Sequence, residues 1–320
     1  MRLWDYLRKK LLEHSCQTVC ENSYEISFGE LVKETETFAK TLSEISCCAI
    51  LCQSELMTAK AILACFAAGI TAVPLSKRYG QIHYNKILNK VSPDALITDD
   101  TGKLSVAKFF DPQYSEPHIH PALIMYTSGT TGNPKGVMLT EDNILTNVSD
   151  IAEYFTIEER DIILISRPLY HCAVLTGEFL TALVRGTKIR FYSEPFNPPK
   201  IPEIIRKYGI TVFCGTPTLL GLISRFMRND SERSLRHIAI SGECMSREVG
   251  HRIAETFPQA KIYHVYGLTE ACPRVSYLPP ILFKTYPDCV GIPLRSVDTM
   301  IVKENGTAAD INEKGMLYIR

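Results

Sequence analysis

Strand-like and helix-like segments alternate along the chain from Tyr24 to Gly267, and no other feature limits its fold so strongly. Short apolar, β-branched runs lead into amphipathic stretches that often end at glycine. That is the pattern of βα units building a largely parallel sheet with helices on its faces. SYEIS precedes the helical pattern of FGELVKETETFAKTLSEI, and CCAIL precedes a helix capped by Ser54 that stops at Gly69. TAVPL, the helix QIHYNKILNKV and the strand DALITDD continue the rhythm. Further on, DIILISRPL, TKIRFY, ITVFCGTP, LRHIAISG and AKIYHVYG read as strands. The helical patterns TGEFLTALVRG, PKIPEIIRKYG, PTLLGLISRFMRN and REVGHRIAETFP separate them, the first two closed by Gly186 and Gly209. After Cys289 the pattern changes to short strands with turn residues. The expected fold class is therefore α/β, with layered, mostly parallel sheets flanked by helices. Two α/β subdomains are expected within residues 1–288, and a small β subdomain beginning over 289–320.

A chain of 320 residues with 45% hydrophobic and 22% charged residues can build a sizeable globular core. Its 35 basic and 35 acidic side chains cancel, so no global charge points to nucleic acid or to an anionic membrane. The N-terminal MRLWDYLRKKLLEHSC lacks a signal-peptide core, and Leu3, Leu7 and Leu11 recur at helical spacing. The longest apolar run, AILACFAAGITAV, is too short to span a bilayer. None of the eleven cysteines forms a Cys-x-x-Cys pair. Cys47, Cys48 and Cys52 read as buried thiols on or beside a strand rather than as metal ligands, and such thiols imply a reducing compartment. A cytoplasmic location is expected.

In parallel α/β sheets, ligands gather at the carboxyl ends of the strands. Four chemically rich loops follow predicted strands: Thr127 to Gly136, Arg167 to Gly177, Ser241 to Ser246, and Tyr266 to Ala271. The first contains YTSGTTGNPKG. Its glycines let backbone N–H groups approach an anion, its hydroxyls add donors, and Lys135 adds a mobile positive charge. It is a phosphate-cradling loop but not a Walker A motif, because Asn133 and Pro134 separate Gly132 from Lys135. Nor is Ser128 placed as a hydrolase nucleophile, since Tyr126 stands where Gly-x-Ser-x-Gly requires glycine.

YTSGTTGNPKG closely resembles the signature of the adenylate-forming superfamily, which includes acyl- and aryl-CoA ligases and the adenylation domains of peptide synthetases. AILACFAAGITAVPLSKRY, RPLYHCAVLTG, ISGECMS, VYGLTEAC, VGIPLRSVDTMIV and KGMLYIR resemble further family segments in the expected order, across nearly the whole chain. The resemblance implies activation of a carboxylic acid by ATP, giving an acyl-adenylate and pyrophosphate, then a thioester with CoA or a carrier-protein phosphopantetheine. By position, Thr127, Ser128, Gly129, Thr130, Thr131, Gly132 and Lys135 would hold the phosphates. Thr269 would contact the α-phosphate, and Glu270 would be the Mg²⁺ carboxylate. Tyr266, Gly267 and the Gly242, Glu243 and Cys244 backbone would flank the nucleotide. His171 stands where peptide-synthetase domains usually carry the aspartate that binds an amino group, which favours an aryl or acyl acid.

The chain also departs from the family pattern. Glu243 replaces the second glycine of a Gly-Gly pair, Glu141 stands where histidine is common, and the chain stops at Leu-Tyr-Ile-Arg. The resemblance therefore implies the large domain without the small C-terminal one. An amino-acid adenylation domain of peptide-synthetase type and a catalytically silent nucleotide- or acyl-binding paralogue stand as alternatives.

Overall fold

The structure, a computed structural model, describes residues 1–109, 114–115, 117–127, 134–192, 197–227 and 234–320. Helices begin where the sequence supplies caps. Ser54 Oγ accepts the Met57 N–H, and Gly69 ends the helix Glu55–Ala68 in the left-handed region at φ 71°. This helix is buried continuously from Leu56 to Phe66, so its apolar residues form no single stripe. Reciprocal capping boxes start the helices Phe28–Ala39, through Ser27 and Glu30, and Glu141–Tyr154, through Thr140 and Asn143. The helix expected around TGEFLTALVRG begins earlier, at Cys172, and is π-helical over Leu175–Leu180 before Thr181–Val184.

Strands are numbered along the chain: β1 Thr18–Glu21, β2 Tyr24–Ser27, β3 Cys47–Ile50, β4 Thr71–Pro74, β5 Ala95–Asp100, β6 Lys103–Lys108, β7 Leu123–Thr127 and β8 Lys135–Leu139. There follow β9 Ile162–Ile165, β10 Lys188–Phe191, β11 Val212–Gly215, β12 His237–Ile240, β13 Lys261–Tyr266, β14 Ser276–Leu278, β15 Ile292–Pro293, β16 Thr299–Val302 and β17 Met316–Ile319. A six-stranded sheet runs β6-β5-β3-β4-β7-β8, parallel at its centre and edged by two antiparallel strands. A nine-stranded sheet runs β15-β14-β13-β12-β11-β9-β10-β1-β2. Its six strands from β13 to β1 are all parallel. The small antiparallel pair β16-β17 lies near the C-terminus. The fold is thus mixed α/β with layered, mostly parallel sheets flanked by helices, as the alternating pattern predicts.

Leu3, Trp4, Leu7 and Leu11 bury the inner face of the N-terminal helix Leu3–Glu13. Glu141 fixes its start, Oε2 accepting the Leu3 N–H at 3.0 Å, so this departure from the family pattern has a structural role. All eleven cysteines are unpaired, and all but Cys16, Cys244 and Cys289 are buried. Adjacent Cys47 and Cys48 project into different core clusters, as strand alternation requires. His237 and His264 are core residues. Among the described residues, no helix is long and apolar enough to cross a membrane.

Candidate active site

Strands β9, β12 and β13 run parallel within one sheet, so the loops after Ile165, Ile240 and Tyr266 leave the same edge. The fourth loop arrives from the other sheet. Thr127, the last residue of β7, pairs across the hairpin with Lys135, the first residue of β8. Lys135 is exposed, and Lys90 Nζ braces the base of the loop by donating to the Pro134 carbonyl at 3.2 Å. Ser128, Gly129, Thr130, Thr131 and Gly132 lie outside the described residues.

The hairpin strand β8, which begins at Lys135, packs beside the one-turn helix Thr269–Ala271. Glu270 is exposed at the rim of an open cavity of about 380 Å³, which is also lined by Asp142, Asn147, Ser296 and Arg320. A carboxylate at this rim suits Mg²⁺, which fills its remaining positions with phosphate oxygens and water. Among the described residues, no group of three His, Cys, Asp or Glu side chains could hold a metal alone. An ion at Glu270 would therefore depend on the nucleotide for its other ligands.

Gly267 has a packing reason. A Cβ there would stand 1.7 Å from the Pro273 carbonyl oxygen, so the loop folds back onto β13 only over a bare Cα. Asn147 secures the returning segment, its amide donating to the Ala271 carbonyl at 3.4 Å and the Arg274 carbonyl at 2.9 Å. Tyr266, half-buried at the end of β13, pairs with Ser276 of β14.

Gly242 follows β12 with φ 94°, a conformation open to glycine. Its neighbours Glu243 and Cys244 are exposed. Glu243 Oε2 accepts the Thr218 N–H at 3.2 Å and the Thr218 hydroxyl at 2.6 Å, capping the helix Pro217–Ile223. Partial burial raises its pKa, but the Thr218 hydrogen bonds outweigh this and hold the carboxyl below its ordinary value. The side chain that replaces glycine is thus turned onto a helix start.

His171 stands at the start of the π-distorted helix, its outer edge exposed. Protein crowding the ring, then the charges of Arg167 and Arg78, push its pKa down toward about 4, a shift that water at the outer edge tempers. The imidazole is neutral at pH 7. It packs on Tyr170 at 4.3 Å between ring centroids, and Tyr170 meets Tyr79 at 6.1 Å. Glu55 holds this loop from below, Oε2 accepting the Leu169 N–H at 3.0 Å.

The chemistry least visible in the sequence lies behind His171. Arg167 pairs with Glu178, which lies wholly buried on the π-helical turn. Arg274, only 3% exposed, crosses the same turn over Gly177, where a Cβ would be 2.6 Å from its Nη2. These residues are separated by 11 positions in one case and nearly a hundred in the other, so no local motif announces them. The run of small and polar residues Thr176-Gly177-Glu178 in an otherwise apolar helix is the one available hint.

A family described as AMP-binding enzyme matches residues 9–320. The chain belongs to this family. Among relatives of AMP-binding enzymes, it is 25% identical to a D-alanine–D-alanyl carrier protein ligase of Bacillus licheniformis, over 92% of the chain and 64% of that protein. It is 31% identical to a long-chain-fatty-acid–CoA ligase of Haemophilus influenzae, over 68% of the chain and 40% of that protein. The chain therefore spans less than two thirds of the length of these relatives. Its fold matches that of a solved long-chain-fatty-acid–CoA ligase of Archaeoglobus fulgidus with a TM-score of 0.86 at 21% identity, covering 100% of the chain and 74% of that structure.

Proposed function

We propose that this protein is an ATP-dependent acid–thiol ligase that activates a small carboxylic acid as its acyl-adenylate. One observation carries the reading: an AMP-binding family match across both large sheets, with the Thr269–Glu270 turn packed beside the strand that starts at Lys135. The acid's carboxylate attacks the α-phosphorus of ATP, a new P–O bond forms, and the bond to pyrophosphate breaks. Such a displacement needs alignment and charge neutralisation more than a protein nucleophile. Lys135 and the loop following Thr127 would hold the leaving phosphates, and Thr269 the α-phosphate. Mg²⁺ at Glu270 would neutralise phosphate charge. Tyr266, Gly267 and the Gly242–Cys244 backbone would flank the nucleotide.

Thioester formation follows: the acceptor thiol attacks the acyl carbon, giving up its proton, the new C–S bond forms, and the acyl–phosphate bond breaks to release AMP. Both CoA and a carrier-protein phosphopantetheine are consistent with the relatives, one of which is a carrier protein ligase and another a CoA ligase. A neutral His171 beside the acid favours an acyl or aryl acid over an α-amino acid, because no aspartate stands there to pair an ammonium. The proposed setting is cytoplasmic.

Exchange of labelled pyrophosphate into ATP, measured with and without added carboxylic acids, tests this reading. Acid-dependent exchange that collapses in Glu270→Gln supports it. Exchange driven only by α-amino acids would replace the acid class proposed here, and no exchange with any acid would favour a silent binding protein.

A further inference from the structure

Three ionisable side chains lie together behind the mouth of the site: Arg167 at the carboxyl end of β9, Glu178 on the π-helical turn, and Arg274 beyond the Thr269–Glu270 loop. Arg167 and Glu178 are paired, with side-chain exposures of 17% and 0%. Arg274 is in ion-pair contact with no carboxylate among the described residues, although its charge acts on Glu178 and on the Tyr154 hydroxyl. Arg167 Nε, Arg274 Nε and Glu178 Oε2 are all buried without hydrogen-bond partners among the described residues. Two guanidiniums thus face one carboxylate. Burial also favours the neutral form of Glu178, which enlarges the excess of positive charge.

Buried cations are kept when something pairs them. The cluster has one open side. Arg167 is its only member with appreciable exposure, and its charge reaches both His171 and Glu243 at the mouth. Glu243, a carboxylate that this charge reaches, is already committed to Thr218. We infer that the acid activated by this protein carries a second anionic group, such as the distal carboxylate of a dicarboxylic acid, and that Arg167 receives it. A guanidinium offers a planar fork that matches a carboxylate. Glu178 and Arg274 act behind it as positioning residues, Glu178 fixing the guanidinium and Arg274 adding uncompensated positive charge. The charge balance argues against an ammonium group in this place. Glu178 has no exposed surface, and Arg167 covers one of its oxygens.

This inference rests on the adenylation reading and specifies its substrate. It is tested by titrating the whole chain with acyl-sulfamoyladenosines, non-hydrolysable mimics of an acyl-adenylate, and measuring dissociation constants. The glutaryl compound is compared with the neutral pentanoyl compound, which has the same five-carbon chain, and with the cationic γ-aminobutyryl compound. Glutaryl is expected to bind roughly 10-fold or more tighter than pentanoyl, and Arg167→Met should reduce that ratio to about one. Because Arg167→Met leaves the buried Glu178 without its paired guanidinium, the double change Arg167→Met with Glu178→Gln removes that carboxylate too and keeps Arg274 as the cluster's one charge, and the ratio should collapse equally. Pentanoyl binding as well as glutaryl, γ-aminobutyryl binding tightest, or a ratio that survives both variants would overturn the inference and leave adenylation standing. If none of the mimics binds, both readings fall together.

Discussion

Asn147 and Arg274 hold each other from both sides. The Asn147 amide donates to the Arg274 carbonyl at 2.9 Å, and its oxygen accepts the Arg274 N–H at 3.3 Å. Asn147 belongs to the helix that follows the β7–β8 hairpin, so this contact ties that part of the fold to the segment after Glu270. Asn147 is 5% exposed, and removing its side chain leaves buried backbone groups unpaired. Asn147→Ala should cost about 2–3 kcal/mol, measured by denaturant unfolding. A loss under about 0.5 kcal/mol would show that the segment is held by other contacts.

Two glycines should respond in opposite directions. Gly267→Ala forces a Cβ into the Pro273 carbonyl and should destabilise the protein by about 3 kcal/mol or more, since only backbone movement relieves the clash. Gly221 sits within the helix Pro217–Ile223, and a Cβ there meets nothing within 4 Å. Gly221→Ala should stabilise by about 0.5–1 kcal/mol through helix propensity alone. Thermal melts of the two variants decide both outcomes, and a tolerated Gly267→Ala would contradict the packing described.

Acid should destabilise the fold through its buried histidines. Burial pushes the His237 imidazole down to about 4, against the opposing pull of Asp161, and His264 is lowered by burial too. The unfolded chain therefore takes up these protons first. The stability they contribute is complete above about pH 6.5 and is lost as pH falls towards 4. Glu25, held down to about 2 chiefly by Lys188, acts only at lower pH. Between pH 6.5 and 4.5 the melting temperature should fall, and His237→Phe should flatten that fall. An unchanged slope in the variant would remove His237 as its cause.

Much of this architecture could be read from local signals. Ser54, Gly69 and Gly209 mark helix ends through their own caps and left-handed backbone, and each acts within a few residues. The strands β1, β6 and β14 escaped the sequence reading because they are short or lie at sheet edges, and the partner of a short strand need not be near it in the chain. β1, for example, pairs with β10, about 170 residues further on. The loops after β9, β12 and β13 were visible as motifs, whereas the Arg167, Glu178 and Arg274 cluster exists only once those strands are side by side. Glu243 shows the same limit. The family resemblance gave only an expectation for its backbone, and its side chain proves to cap the helix at Thr218.

Lys135 and Glu270 are proposed to serve one nucleotide site, Glu270 through a metal ion. Calorimetric titration of ATP into the chain, with and without Mg²⁺, tests it most directly. Lys135→Ala should weaken binding roughly 10-fold in either condition, because its charge acts on phosphate itself. Glu270→Gln should weaken binding by about the same factor only when Mg²⁺ is present. Equal affinities for wild type and both variants, or a Glu270→Gln effect independent of Mg²⁺, would contradict the account.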